Sequence, residues 1–261
     1  FLIVFFYINI QSQNIDTLWP YINKQMLYGH HLGLKGNMKK LFETQDPKAV
    51  KLDRQIHEVK ALINEHNACN PKGVYQFFNV KRDKETMIIL DQDKTTELQR
   101  FTFPRQPEGY QFCLTDFIHP TEIDTLCFFV VTSGQEILDY AKELKQKEEF
   151  LASHIANSIG LEIAEAYAEH LHQQIRKQWG FPDNPEWNND DLFKLKYRGR
   201  RYSFGYPACP DLAYQRLLWD LLTPEKHIGV NLCDDFMMDP DGSVSALVLH
   251  HPEATYFRVK D

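Results

Sequence analysis

The chain has 261 residues, which at roughly 100–200 residues per domain allows one large domain or two small ones. Hydrophobic residues make up 43% and charged residues 25%, so the composition is that of a globular protein and excludes disorder as the main state. The 29 Lys and Arg residues against 36 Asp and Glu residues give a net charge of −7, and no basic run occurs. This balance argues against a nucleic-acid partner, because such binding requires clustered positive charge.

Two features of the sequence concern its cellular compartment. The five cysteines are odd in number and widely spaced, and no CxxC pair occurs, which favours a reducing cytoplasm over a disulfide framework or a zinc site. The apolar run Phe1–Ile8 is much shorter than the roughly 20 residues that span a bilayer, and it lacks the marks of a signal peptide. We expect no membrane segment and interpret Phe1–Ile10 as a strand or the end of an upstream linker, with a trimmed export signal as the alternative.

The first long helix is predicted to begin after Asp46, because an N-cap aspartate followed by Pro47 is a typical helix start. Apolar residues at near-helical spacing continue it to about Asn67, and the segment Asn70–Gly73 ends it. Five strand candidates follow, of which the first three, separated by polar turns, predict an antiparallel meander. The candidates are Val74–Lys81, Glu85–Leu90, Thr96–Phe103, Gln111–Ile118 and Thr125–Thr132.

The longest helical pattern runs from about Gln135 to Trp179, with a predicted break near residues 145–149. Apolar residues recur at four-residue steps in its second half, which predicts one buried stripe, and Gly180 followed by Pro182 ends it. The stripe comprises Leu151, Ile155, Ile159, Ile163, Tyr167, Leu171 and Ile175.

The last part of the chain contains two short helix candidates, Asp190–Tyr197 and Leu212–Leu222, and three strand candidates. The strands are Gly229–Met237, Ser243–Leu249 and Thr255–Val259. A turn is predicted at Asp239–Gly242, where the glycine is free to adopt positive φ. Because strands and helices occur in blocks rather than in alternation, the sequence predicts an α+β fold with an antiparallel sheet.

Common catalytic signatures are missing from the sequence. It contains no GxGxxG, GxxxxGK[ST], GxSxG or HExxH pattern, so nucleotide-binding folds and standard hydrolases lack their usual support. The paired histidines, such as His30 and His31, are interpreted as structural or solvated, because neighbours on a strand point to opposite faces. We predict no catalytic residue and no metal ligand.

Two segments could bind a ligand. Glu162, Glu165 and Glu169 form a row on one helix face, which either faces water and pairs with Arg176 or accepts a cationic, ammonium-bearing group. The loop Arg198–Pro210 combines guanidinium, hydroxyl and aromatic groups with glycine and proline. Arginine can clamp a carboxylate and tyrosine offers a π face, so this loop is either a packed connection or a binding site. Its Cys209 is interpreted as a packed side chain rather than a nucleophile.

The loop also carries a family resemblance. Arg201–Pro210 resembles the RxxxGYPACP motif of the activation domain of cobalamin-dependent methionine synthase. Five further segments are similar to that family in order and spacing, over a match from about Ile15 to Val259. They are Asn70–Val74, Cys113–Ile118, Phe129–Gly134, Ile163–His172, and Val244–Ala246 with His251-Pro252 and Tyr256-Phe257.

The resemblance implies a C-shaped, single-domain α+β fold with a twisted antiparallel sheet and flanking helices over residues 15–261, preceded by an extension or linker strand over residues 1–14. The implied function is reactivation of a cytoplasmic methyltransferase. The domain binds S-adenosylmethionine and presents its methyl group for reductive methylation of cob(II)alamin, with an electron from a flavodoxin-like donor. The cobalamin is bound by a partner domain or chain, so this chain alone is expected to be a binding module.

Site residues follow from the same resemblance. Those expected to bind S-adenosylmethionine are Arg201, Ser203, Gly205, Tyr206, Tyr256, Phe257, Glu165 and Asn23. Arg201 is expected near the ligand carboxylate and Glu165 near its ammonium. Asn23 stands where one branch of the family has aspartate, so it can hydrogen-bond but carries no charge. Tyr202-Ser203-Phe204 replaces the usual Pro-Ala-Pro, which predicts a less rigid loop.

Two alternatives to reactivation stay open. The chain could be a stand-alone module that binds S-adenosylmethionine or a corrinoid protein without catalytic coupling. A cobalamin domain with its DxHxxG motif elsewhere in the reading frame would argue against this, and that motif is absent from these residues. The chain could also be a degenerate relative that no longer binds the ligand. The discriminating feature is then whether Arg201, Tyr206 and Tyr256 face one cavity.

Overall fold

A seven-stranded antiparallel sheet forms the centre of the computed structural model, which describes residues 6–259. The strands are β1 Asn9–Ser12, β2 Lys72–Asp83, β3 Thr86–Leu90, β4 Glu97–Thr102, β5 Asp124–Thr132, β6 Arg200–Tyr202 and β9 Ser243–Leu249. Their order in the sheet is β4-β3-β2-β5-β9-β6. β1 pairs with the first half of β2, and β3 pairs with the second half. Two short strands, β7 Asn231–Leu232 and β8 Met238–Asp239, pair separately.

Helices flank the sheet on both faces. They are α1 Ile15–Leu18, α2 Met38–Glu43, α3 Pro47–Glu65, α4 Gln135–Gln146, α5 Phe150–Trp179, α6 Asn189–Phe193, α7 Tyr214–Leu222 and α8 Pro224–His227. A π-helix covers Gln25–His31, and 3-10 turns cover Trp19–Tyr21 and Leu114–Phe117. Within the described residues, no helix combines the length and the apolar character needed to cross a membrane.

Both predicted long helices are confirmed. α3 begins where expected, and the Asp46 carboxylate accepts hydrogen bonds from the amides of Lys48 and Ala49. The long pattern is broken between α4 and α5, and Gly180 ends α5 with φ of 90°. Six of the seven stripe residues of α5 are buried, whereas Leu151 in its first turn is 51% exposed.

Alternation along the central strands separates two hydrophobic cores. On β5, Phe129 and Val131 face the core formed with α3, α4 and α5, whereas Phe128 and Val130 face the core formed with α7. The strand is therefore buried on both faces, which explains its continuous apolar sequence. The α+β prediction with an antiparallel sheet is correct.

Three strand predictions were wrong. Gln111–Ile118 contains a 3-10 turn, because the Asp116 carboxylate accepts the Cys113 amide at 2.9 Å and caps the turn. Within Gly229–Met237, strand pairing is limited to β7, Asn231–Leu232, and Thr255–Val259 forms no strand. In both segments, apolar side chains such as Val230 and Val259 are buried without strand pairing. An apolar run therefore marks burial here rather than strand pairing.

One turn and one helix differ from what the sequence predicted. Gly242 does not adopt positive φ, and the turn instead contains a cis peptide bond between Asp239 and Pro240. A glycine is needed there for close packing, since a Cβ at residue 242 would lie 2.5 Å from Ser133 Oγ. The helix predicted at Asp190–Tyr197 is shorter, because it ends at Phe193.

The predicted loop at Arg198–Pro210 begins with an edge strand of the sheet. β6 pairs with β9 in the register Arg201 to Val248, directly after Gly199. Gly199 has φ of 79°, and a Cβ there would lie 2.6 Å from the carbonyl oxygen of Leu249. The missing side chain therefore allows β6 to approach β9.

We predict that Gly199→Ala destabilises the chain more than Gly229→Ala. Both glycines have positive φ, but only the alanine at residue 199 meets backbone, because no atom of the described residues lies within 4 Å of a Cβ at residue 229. The strain at positive φ costs roughly 1–2 kcal/mol in either variant, and the clash adds on the order of 1–3 kcal/mol at residue 199. Urea unfolding of both variants measures the difference. Equal losses of stability would contradict this role of Gly199.

Candidate ligand-binding site

Two adjoining cavities lie along α5, one toward the π-helix and the turn before β9, and the other toward the loop that follows β6. The first has a volume of about 420 Å³, and we call it the acidic cavity because Glu162 and Asp241 line it. The second, of about 440 Å³, is the aromatic cavity, lined by Tyr206 and Tyr256 among others. Glu165 and Arg201 line both cavities, so we treat the two as one groove. Cavities of 300–1,000 Å³ are typical of small-molecule sites.

The sheet register directs Arg201 toward the groove. Arg201 pairs with Val248, whose side chain belongs to the core beneath α5, whereas the next residue, Tyr202, is buried in the opposite core. Alternation along β6 therefore points the Arg201 side chain at α5. There its Nη1 donates to Glu169 Oε2 at 2.5 Å. Burial alone would lower the pKa of Arg201, but the charge of Glu169 outweighs it, so the pKa lies above the ordinary value.

Glu169 is the member of the carboxylate row that contacts Arg201. Its side chain is only 6% exposed, and Arg176 Nη2 lies 4.0 Å from Oε1. The hydroxyl of Tyr197 donates to Oε2 over 3.5 Å. The predicted pairing of the row with Arg176 is thus present for Glu169, but the shorter contact goes to Arg201, and this residue does not face water.

Glu162 and Glu165 complete the row in different surroundings. Glu162 is 4% exposed and lies 3.0 Å from His31 Nε2, and burial together with the charge of Glu165 raises its pKa to about 7. Burial also lowers the pKa of His31. The Glu165 side chain is exposed to the groove, where the surrounding protein excludes part of the water. This desolvation raises the pKa of Glu165, the charge of Arg201 opposes the rise, and the charge of Glu169 adds to it.

Aromatic side chains build the opposite wall. Tyr206 is 62% exposed and Tyr256 is 48% exposed, so their rings are open to a ligand in the aromatic cavity. The loop that carries Tyr206 is tied to itself, because the Gly205 amide donates to the Cys209 carbonyl at 2.8 Å. Gly205 has φ of 84°, which explains a glycine at that turn.

Tyr202 and Phe204 anchor this loop where the family has prolines. Both side chains are buried, and the Tyr202 hydroxyl donates to the Thr255 carbonyl at 2.8 Å. Cys209 is also buried, and burial raises the pKa of its thiol, with a contribution from Asp211. The interpretation of Cys209 as a packed side chain is confirmed.

The structure brings seven of the eight predicted site residues to the groove. Ser203, Tyr206, Tyr256 and Phe257 line the aromatic cavity, Asn23 lines the acidic cavity, and Glu165 and Arg201 line both. Gly205 is not a lining residue but shapes the loop. Arg201, Tyr206 and Tyr256 share one cavity, which argues against the degenerate alternative.

Asn23 also has a structural role. Its side-chain oxygen accepts hydrogen bonds from the amides of Gln25 and Met26 at 3.0 and 3.3 Å. It therefore caps the start of the π-helix, a role that asparagine and aspartate perform equally well.

Several groove residues were not identified from the sequence. His30 and His31 were interpreted as strand neighbours, but they lie on the π-helix Gln25–His31 and both line the acidic cavity. Asp241 and Ser243 reach the same cavity through the turn before β9. The salt bridge between Arg201 and Glu169 joins residues 32 positions apart, and no local pattern marks it.

The fold and the groove together define an α+β domain whose candidate ligand site lies between one long helix and an edge strand with its loop. The family model described as "Vitamin B12 dependent methionine synthase, activation domain" matches residues 14–261. The chain belongs to this family of activation domains.

Known relatives agree with this assignment. The chain is 38% identical over 201 residues to a methionine synthase of Mycobacterium leprae (strain TN) and 39% identical over 202 residues to that of Mycobacterium tuberculosis (strain ATCC 25618 / H37Rv). Each alignment covers 71% of this chain but only 17% of the relative.

A solved structure shares the fold. It is a crystal structure of the MetH reactivation domain bound to AdoHcy, S-adenosylhomocysteine. The TM-score is 0.90 at 28% sequence identity, over 98% of this chain and 82% of the other.

We predict that Glu162→Gln stabilises the chain at pH 8 but not at pH 5. The folded-state pKa of about 7 lies above the ordinary 4.5, so the folded state binds more protons between these values and stability falls as pH rises through them. Unfolding free energies measured at both pH values should show a relative gain on the order of 2 kcal/mol for the variant at pH 8.

The exposed Glu58→Gln serves as the matched control, because its side chain is 64% exposed. We expect the control to follow the unmodified chain at both pH values. A relative loss of stability at pH 8 for Glu162→Gln would contradict the prediction, and would indicate an ion pair between Glu162 and His31.

Proposed function

We propose that the chain binds S-adenosylmethionine in the groove and acts as the reactivation module of a cobalamin-dependent methionine synthase. The observation that carries this proposal is the convergence of Arg201, Glu165 and two exposed tyrosines, Tyr206 and Tyr256, on one groove. Membership of the activation-domain family supports it. A structural neighbour bound to S-adenosylhomocysteine, the demethylated form of this ligand, supports it further.

The chemistry of the groove fits the two ends of such a ligand. Arg201 is positively charged and lines both cavities, so it can hold the ligand carboxylate. The carboxylate of Glu165 lies along the same wall and suits the ammonium group. Tyr206, Tyr256 and Phe257 offer apolar and π surfaces to the adenosine end, and the same π surfaces attract a sulfonium cation.

The proposed mechanism is one of positioning. When bound, the sulfonium methyl of the ligand would be transferred to the cobalt of a cobalamin, with one electron from a separate donor. The residues of this chain would hold both ends of the ligand so that the methyl group has one orientation, which lowers the entropic part of the barrier. None of the groove residues needs to act as a general acid or base, because no proton is transferred in this exchange.

The partners follow from this division of work. The chain spans 17% of the length of the curated relatives it matches, so we propose that a cobalamin-binding domain, on the same or another chain, supplies the cobalamin. We propose a flavodoxin-like protein as the electron donor and the cytoplasm as the compartment. The five free cysteines are compatible with a reducing compartment.

We predict that Arg201→Ala weakens binding of S-adenosylmethionine by about 2 kcal/mol, since it removes a charge-assisted, bidentate contact. Isothermal titration calorimetry of the purified chain and the variant measures this loss. Arg198→Ala is the matched control, because Arg198 is exposed, stacks on Phe181 and donates to the His250 carbonyl outside the groove. We expect the control to bind as the unmodified chain does.

Two results would count against the proposal. If the unmodified chain does not bind the ligand at millimolar concentration, the groove is not a site for S-adenosylmethionine. If Arg201→Ala binds as tightly as the unmodified chain, the ligand occupies another position.

A further inference from the structure

Four charged side chains form a line that starts at Arg201 and Glu169 in the groove and ends at Asp183 behind it. Arg201 Nη1 donates to Glu169 Oε2 at 2.5 Å, and Glu169 Oε1 lies 4.0 Å from Arg176 Nη2. Arg176 in turn donates to Asp183 through Nε at 2.7 Å and Nη2 at 2.5 Å. We call Arg201, Glu169, Arg176 and Asp183 the buried ion chain.

The three members behind Arg201 are more deeply buried than Arg201 itself. The Arg201 side chain is 18% exposed, Glu169 is 6%, Arg176 is 1% and Asp183 is 6%. Charges this far from water are stable only when each is paired, and here the signs alternate so that every charge has an opposite neighbour. Removing one charge therefore disturbs the position of the next.

Arg201 and Arg176 use different edges of their guanidinium groups. Arg176 presents Nε and Nη2 to Asp183, which is the bidentate arrangement that matches a carboxylate. Arg201 engages Glu169 through Nη1. Among the described residues, with the side chains of residues 189 and 190 left aside, Nε and Nη2 of Arg201 make no hydrogen bond. The contact with Glu169 thus leaves the carboxylate-matching edge of Arg201 available to a ligand.

The link between Glu169 and Arg176 is electrostatic rather than hydrogen-bonded. Within the described residues, Glu169 Oε1 and Arg176 Nη1 are buried without a hydrogen-bond partner. Arg176 is held instead by Asp183 and by the ring of Tyr197, whose centroid lies 3.8 Å from its Cζ. Tyr197 also donates to Glu169, over 3.5 Å. Glu169 is therefore oriented by a rigid cation and an aromatic ring behind it.

We propose that Glu169, supported by Arg176 and Asp183, is a positioning residue that holds the Arg201 guanidinium in the orientation that receives a ligand carboxylate. This inference rests on the proposed function and adds a source of specificity to it. The buried ion chain makes the groove selective for nucleosides that carry an amino-acid end. A nucleoside without a carboxylate gains nothing from the orientation of Arg201.

The test compares two ligands that differ in that end. S-adenosylhomocysteine carries the carboxylate and the ammonium group, and 5′-methylthioadenosine carries neither. We expect Glu169→Gln to weaken S-adenosylhomocysteine binding by about tenfold or more, and 5′-methylthioadenosine binding by less than about twofold. Calorimetric titration of both ligands gives the ratio of the two affinities, which a general loss of structure would leave unchanged.

Asp183→Asn is the second variant, because residue 183 lies three links from Arg201 and its loss leaves Glu169 in place. We expect the same change of the affinity ratio in a smaller amount, about threefold. If Glu169→Gln does not fold, as judged by circular dichroism, this variant decides the outcome. Glu97→Gln is the matched control, since Glu97 pairs with Arg100 on the exposed strand β4 outside the groove.

The outcomes separate the inference from the proposed function. If the unmodified chain binds neither S-adenosylhomocysteine nor S-adenosylmethionine, the proposed function is contradicted and the inference with it. If the unmodified chain binds but both variants keep its affinity ratio, only the inference is overturned. An equal loss for both ligands would assign Glu169 a structural role, and would also overturn it.

Discussion

The salt bridge between Arg201 and Glu169 is the contact on which the groove depends. It joins the edge strand β6 to the middle of the long helix α5 at 2.5 Å, and so connects the two elements between which the cavities lie. A charged pair this deeply buried is stable only with fixed geometry around it. Arg176, Asp183 and the ring of Tyr197 supply that geometry from behind.

The rest of the fold places these two elements. β5 and β9 are buried on both faces, and among the described strands β6 pairs with β9 alone, so the register of this pairing determines which face Arg201 takes. The apolar stripe of α5 packs against one face of the sheet, and this packing turns the carboxylate row toward β6. The shape of the groove thus depends on the pairing register of β6 and β9, which Gly199 permits, and on the orientation of α5, which hydrophobic burial determines.

Local patterns in the sequence predicted several individual helices and strands of this arrangement. The helix start at Asp46, the break before α5 and the strand at Ser243–Leu249 follow from capping, charge and apolar periodicity. The motif residues Arg201 and Tyr206 followed from a family resemblance rather than from such patterns. The strand expected at Gln111–Ile118 failed because a single carboxylate cap outweighs strand propensity there.

Contacts between distant residues were beyond such patterns. Glu169 resembled any carboxylate on a solvated helix face, and its burial depends on elements that follow it in the chain.

The most direct test of the account is a crystal structure of the chain with S-adenosylhomocysteine. We expect the ligand carboxylate within hydrogen-bond distance of Arg201 Nε and Nη2, with the contact between Arg201 and Glu169 retained. A carboxylate bound elsewhere, or an Arg201 turned away from Glu169, would contradict the account.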